Sequence, residues 1–186
     1  MMNSTNNLLT LVPSVNETAI AKFEKPAARM KRNTKRVGIV SELVAMQRFA
    51  AAGLRLLLPL GENSPYDIVL EDKYGRLIKI QVKTGRLRRG VVFFNCYSSH
   101  AHRGARPEFY FGKIDFFAVY CPDNEEFYIV PIGSKAVTRG SASLRVLAPA
   151  NNMSKTINWA REYRFDESNP DALFVGVAHS GAAGED

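Results

Sequence analysis

Two short runs rich in Ile, Val and Leu, Tyr66–Leu70 and Leu77–Lys83, flank the polar turn Asp72-Lys73-Tyr74-Gly75. No other stretch constrains the fold as tightly. Strand-forming runs joined by an Asp- and Gly-containing turn predict a β-hairpin. Side chains alternate faces along a strand, so Ile78, Ile80 and Val82 point one way and Lys79, Gln81 and Lys83 the other. Gln81 and Lys83 then share a face, and Asp67 opens the neighbouring strand. A carboxylate with amide or carbonyl oxygens can hold Mg²⁺, waters completing its shell. A lysine beside such an ion can orient or deprotonate an attacking water, or offset charge on a phosphorane. That chemistry rests on positioning and electrostatics.

The pattern around the hairpin predicts an α/β fold with a central mixed sheet. Thr34 caps an expected helix from about Lys35 to Ala52, with Val37, Val40, Leu43, Val44 and Ala51 on its apolar stripe and Phe49 near the edge. Gly53 ends it as a left-handed glycine. Glu42 falls on the flank of the stripe, beside Gly38 and Met46, where an ordinary helix glutamate would be exposed. The run Leu54–Leu60 is apolar enough for a central strand. Further strands are expected at Val91–Cys96, Ile114–Cys121 and Glu126–Pro131, the last two joined by a Pro122-Asp123-Asn124 turn. A helix is expected over Asn151–Tyr163, with Ile157 and Trp159 among its apolar residues. At 186 residues and 46% apolar content the chain suits one core. Residues 1–33 read as a flexible basic tail, 34–166 as the folded domain and 167–186 as a second flexible tail.

The ordered set of motifs resembles the PD-(D/E)XK nuclease superfamily, and most of all its bacterial branch of group I intron-encoded homing endonucleases. Pro65-Tyr66-Asp67 is similar to the "PD" half. Gln81-Val82-Lys83 is similar to the "(D/E)XK" half with Gln in place of the acid, as in that branch. Gly38-Ile39-Val40-Ser41-Glu42 resembles the acidic first helix. The match runs from roughly Thr34 to Pro131, through Gly61-Glu62-Asn63-Ser64 and Gly112-Lys113-Ile114-Asp115. The resemblance implies a restriction-endonuclease-like core and Mg²⁺-dependent hydrolysis of DNA phosphodiesters, with Mn²⁺ able to substitute. Its implied catalytic set is Glu42, Asp67, Gln81 and Lys83. Asp67, Gln81 and the Val82 backbone carbonyl would hold the metal, Glu42 would act through a water, and Lys83 would position the nucleophile. One centre per chain implies a homo-oligomer, dimer or tetramer, for cutting both strands. A Holliday-junction-resolvase-like nuclease shares the pattern. A nuclease-like DNA-binding protein that no longer cuts is the alternative favoured by the neutral Gln81.

A formal net charge of +7 suits a polyanionic partner. Lys22, Lys25, Arg29, Lys31, Arg32, Lys35 and Arg36 form a basic arm opposed only by Glu24. Arg86, Arg88 and Arg89 leave the proposed active strand where flanking phosphates would lie, or project into solvent. Arg103, Arg106 and Lys113 are further DNA-contact candidates. His100 and His102 form an H-x-H pair among Gly and Ala residues with no third ligand nearby, so zinc is not expected. Nucleotide-binding loops, dinucleotide turns and nucleophile elbows are missing from the sequence. No apolar run approaches the ~20 residues of a membrane span. Cys96 and Cys121, each in an apolar stretch, read as reduced thiols of a cytoplasmic protein.

Overall fold

The structure is a computed structural model, and it describes residues 33–61, 64–98, 108–148 and 157–175. The chain divides into two units, Met1–Asn33 and Thr34–Asp186, and the second carries all the helices and strands that follow. The expected tail 1–33 falls, apart from Asn33, outside the described residues.

The predicted hairpin forms. Strand β2 (Ile68–Glu71) pairs antiparallel with β3 (Leu77–Thr84), Ile68 opposite Ile80. Gly75, at φ +75°, makes the turn in a region where L side chains are strained. Asp72 fastens it: Oδ1 accepts the N–H groups of Tyr74 and Arg76, both at 2.8 Å, and Oδ2 accepts Arg76 Nε at 2.6 Å. β3 then pairs parallel with β8 (Phe116–Cys121), which pairs antiparallel with β9 (Glu126–Pro131). With β1 (Arg55–Leu57) the sheet has the order β1-β2-β3-β8-β9. The restriction-endonuclease-like mixed sheet expected from the sequence is therefore present. The 54–60 run is a correction: its strand is three residues long and lies at the sheet's edge, where apolar Leu57 and Leu58 stay exposed.

Helix α1 (Thr34–Ala51) packs on this sheet and closes with Gly53 at φ +79°. Leu54 N–H reaches Phe49 O and Gly53 N–H reaches Ala50 O, the paired bonds of a Schellman cap. Its buried face differs from the expected stripe. Ser41, Ala45 and Phe49 face inward, whereas Val40 is 46% and Leu43 59% exposed. Helix α1 carries apolar residues on every side, so periodicity alone could not select the face. Two small residues one turn apart decide it by letting the helix sit close to the sheet. Ser41 Oγ meets Thr84 Oγ1 at 2.6 Å and donates to Val37 O at 3.2 Å. Phe49 then inserts edge-on between Phe127 (5.5 Å) and Phe165 (5.3 Å). Phe49→Ala should cost about 3–5 kcal/mol in denaturant unfolding, and Leu43→Ser less than about 0.5. Equal costs would put the wrong face of the helix against the core.

A second sheet, in the order β10-β5-β4, joins β4 (Arg86–Arg88), β5 (Val91–Asn95) and β10 (Ser141–Arg145). Strand β10 has too little apolar alternation to stand out in the sequence. A two-stranded pair, β6 (Tyr97–Ser98) and β7 (Glu108–Phe109), completes the strands. The chain passes from β3 into β4 through Gly85. A Cβ there would lie 2.8 Å from Val92 Cγ1 and 3.1 Å from Cys121 Cβ, so only glycine fits.

The helix expected over 151–163 is not borne out in its described part. Trp159 bridges to Arg145 in extended geometry, Ala160–Tyr163 is a single 3₁₀ turn, and Arg164 bridges to Tyr128 on β9. Backbone pairing to strand edges wins over helix propensity there. The folded chain also continues past the expected boundary at 166. Glu167 pairs with Arg48 at 2.6 Å, and Phe174, in the 3₁₀ turn Pro170–Phe174, is buried under the Arg76 guanidinium. Residues 176–186 lie outside the described residues. Cys96 and Cys121 are free and buried. No helix among the described residues is long and apolar enough to cross a membrane.

Candidate active site

Pro65 and Tyr66 deliver the chain to Asp67, whose N–H donates to Ile80 O at 2.9 Å, one step before the β2–β3 ladder begins. That bond holds the Asp67 side chain against the far half of β3. Its Oδ2 accepts the Val82 N–H at 2.7 Å and the Gln81 side-chain amide. Gln81, 8% exposed, also places Nε2 3.4 Å from Val82 O. The carboxylate of Asp67 and the carbonyl of Val82 therefore converge on one atom, the Gln81 amide nitrogen.

Lys83 lies two residues further on the same strand, partly buried. Its Nζ donates to Tyr110 Oη at 3.0 Å and approaches Tyr97 O at 3.4 Å, 4.5 Å from the centre of the Tyr110 ring. Burial pushes the ammonium down to about 8, against the opposing pull of the Asp67 carboxylate. Glu42 comes from α1. Burial raises its carboxyl above the ordinary value, and the negative Asp67 raises it further, so the two carboxylates stand within electrostatic reach. The structure thus puts Asp67 and Gln81 in contact, with Lys83 two residues further along the same strand, while Glu42 is linked to them only through the charge of Asp67.

This donor set fits a hard divalent cation. It offers two carboxylates, a backbone carbonyl and a side-chain amide, all oxygen donors once the Gln81 amide turns its oxygen inward. The mutual repulsion of Asp67 and Glu42 is the kind a cation relieves. Among the described residues no group of three or more His, Cys, Asp or Glu side chains is gathered to hold a metal. The amide and the carbonyl would therefore have to complete the shell.

A cleft of about 740 Å³ opens beside Lys83, lined also by Thr34 and Val37 of α1, Thr84, Arg86, Arg88 and Phe93. Two of the three arginines predicted to follow the active strand, Arg86 and Arg88, thus line it. Arg89 follows in the β4–β5 turn, where it and Gly90 both take positive φ (48° and 73°), as a two-residue hairpin turn requires. Lys35 and Arg36 are exposed on the first turn of α1, which holds no acidic residue. There they add to the positive end of the helix dipole, a combination that favours an anion. Lys113 follows the Gly112 turn, its N–H on Tyr110 O at 2.9 Å. Arg103, Arg106, His100 and His102 lie outside the described residues. Neither the Tyr97 carbonyl nor the Ser41–Thr84 bond is marked by any motif, because both depend on elements that meet only in three dimensions. A second cavity of about 450 Å³, between Phe116, Ile129 and Leu173, holds none of the predicted residues.

Comparison with known proteins bears on this arrangement. A family model described as PD-(D/E)XK endonuclease matches residues 32–166. The solved structure of a bacterial homing endonuclease, I-Ssp6803I, aligns with a TM-score of 0.56. The two are 24% identical, over 71% of this chain and 88% of that one, a likeness that speaks to the fold. No curated protein sequence matches the chain.

Proposed function

The chain belongs to the PD-(D/E)XK endonuclease family, and from that premise we propose that it is a Mg²⁺-dependent nuclease cutting double-stranded DNA, homing- or restriction-like in role. One observation carries the reading: Asp67, Gln81 and Val82 converge within hydrogen-bond reach, with Lys83 on the same strand two residues beyond Gln81. Asp67, Gln81 through its side-chain oxygen and the Val82 carbonyl would hold the ion, and Glu42 would hold one of its waters. When bound, Mg²⁺ lowers the pKa of a coordinated water and neutralises charge on the phosphoryl oxygens. Lys83 holds the attacking water on line and takes up its proton. Arg86 and Arg88 seat the flanking phosphates in the cleft, with Arg89, Lys35, Arg36 and Lys113 at its margins and Arg103 and Arg106 as further contacts. A cytoplasmic homo-oligomer, dimer or tetramer, brings two such centres to the two strands. The nuclease domain runs from residue 34 past the expected boundary at 166, since Glu167 and Phe174 pack with it.

The neutral Gln81 favours a second reading, a nuclease-like module that binds DNA without cutting it. Supercoiled plasmid with Mg²⁺, with and without EDTA, separates the two. The nuclease nicks or linearises it and EDTA stops the reaction. DNA retained at low salt but left intact supports the binding module, and cutting that survives EDTA overturns the metal reading. Four-way junctions cut in preference to linear duplex would assign a resolvase-like role.

Metal binding has a readout of its own. Mg²⁺ or Mn²⁺ at a hundred times its dissociation constant should stabilise the fold by about 2.7 kcal/mol, seen as a rise in Tm. Glu42→Gln should raise Tm without metal, since it removes a partly buried charge and its repulsion from Asp67, and should shrink the metal-induced rise. A metal-induced rise unaffected by the substitution would remove Glu42 from the site.

A further inference from the structure

We propose that Tyr110 is a positioning residue for Lys83, holding the Lys83 Nζ at the reacting phosphate by its hydroxyl and its ring face together. The inference deepens the nuclease reading and rests on Lys83 having the role given it there. A lysine side chain has four rotatable bonds, and a group that must orient a nucleophile needs its position fixed to within about 0.5 Å. Here two acceptors from separate segments define where Nζ sits, Tyr110 Oη at 3.0 Å and Tyr97 O at 3.4 Å, with the Tyr110 ring centre 4.5 Å away. With two N–H groups so held, the nitrogen keeps one position for water or phosphate, an N–H when charged and the accepting lone pair when neutral.

Tyr110 is itself held rigidly. It is 6% exposed, and its ring meets Phe117 at 5.7 Å and 88°, edge to face. Its carbonyl accepts the N–H groups of Lys113 (2.9 Å) and Ile114 (3.3 Å) across the turn at Gly112, φ +75°. Phe117 in turn is the register partner of Gln81 in the parallel β3–β8 pair. One sheet register therefore places the amide at the metal site and, through Phe117 and Tyr110, the amine beside it. A buried tyrosine hydroxyl could serve packing alone, and in that case the lysine would not depend on it.

Tyr110→Phe tests the proposal, because it keeps the ring and its packing and removes the hydroxyl. Nicking of supercoiled plasmid should fall about 10–100-fold in kcat, the range seen when an orienting partner is lost, with KM unchanged. In the metal-free protein the Lys83 Cε and Hε resonances should shift and sharpen as Nζ gains freedom. Tyr110→Phe combined with Lys83→Met should nick no more slowly than Lys83→Met alone. Wild-type kcat, unmoved Lys83 resonances, or independent losses that multiply in the double variant would each overturn it. Should the wild-type protein fail to nick at all, the nuclease reading falls, while the resonances still report whether Tyr110 holds Lys83. Should Tyr110→Phe fail to fold, the wild-type Lys83 resonances decide: two inequivalent Hε protons support a fixed Nζ, and a single averaged signal overturns it.

Discussion

Asp67→Asn is expected to lower plasmid cleavage by about 10³-fold or more, while unfolding free energy changes by less than about 1 kcal/mol and DNA retention survives. The loss follows from charge. A carboxylate that holds a divalent ion contributes several kcal/mol of transition-state stabilisation, and each 1.36 kcal/mol is a factor of about ten. Preservation of the fold follows from shape. One oxygen of Asp67 accepts both the Val82 N–H and the Gln81 amide, and the Asn oxygen can take both bonds. Asp67→Ala would instead leave two donors without their acceptor, at about 1–3 kcal/mol each. Plasmid nicking, thermal unfolding and a gel-retention assay without metal read the three quantities separately. Cleavage at the wild-type rate would end the assignment of Asp67 to the metal. Unfolding of the Asn variant would make Asp67 a structural residue.

Lys83→Met should reduce cleavage by roughly 10²–10⁴-fold, the usual contribution of a general base, and leave the Mg²⁺-induced rise in Tm intact. It should also stabilise the protein near neutral pH, because the wild-type fold buries an ammonium. The folded-state value, about 8, lies below the ordinary 10.5. The folded protein therefore binds that proton more weakly than the unfolded chain does. The penalty is complete below about pH 8 and disappears as pH rises toward 10.5. The stability gap between variant and wild type should then be widest at pH 7 and close across that interval. At its widest it is on the order of 3 kcal/mol before allowance for partial exposure. The same titration shapes the rate. With neutral Lys83 as the base, the cleavage rate climbs with pH up to about 8 and then levels. A rate that falls above pH 8 would assign the work to the ammonium instead, as a charge facing the phosphate.

The hairpin and its site were legible because strand alternation and turn chemistry are local. Asp72 and Gly75 fix the turn, the period of two puts Gln81 and Lys83 on one face, and the register carries Asp67 across to them. The pairing of 116–121 with 126–131 was legible for the same reason. What could not be read came from contacts between distant segments. The buried face of α1 is set by Ser41 meeting Thr84 and by Phe49 entering an aromatic cluster with Phe127 and Phe165. In the described part of the expected helix, Trp159 pairs with Arg145 and the following Arg164 with Tyr128. Phe174, within a Gly-, Ala- and acid-rich ending, is drawn in by Arg76, which stacks on it and donates to its carbonyl at 3.3 Å. The Tyr97 carbonyl, on the short strand β6, and the Tyr110 hydroxyl carry no motif because their spacing to Lys83 is a product of the fold.

The crossing at Gly85 makes β3 and β4 one uninterrupted backbone, so Lys83 and Arg86 travel as a single lever. Three residues of extended chain reach at most about 10 Å, close to the rise of three base pairs at ~3.4 Å each. In the proposed reading, this backbone span limits how far the nearest gripped phosphate lies from the cut, and the duplex must conform to that built-in gauge. Enlarging Gly85 would wedge Val92 away from Cys121 and detune the gauge without altering a single group that meets the substrate.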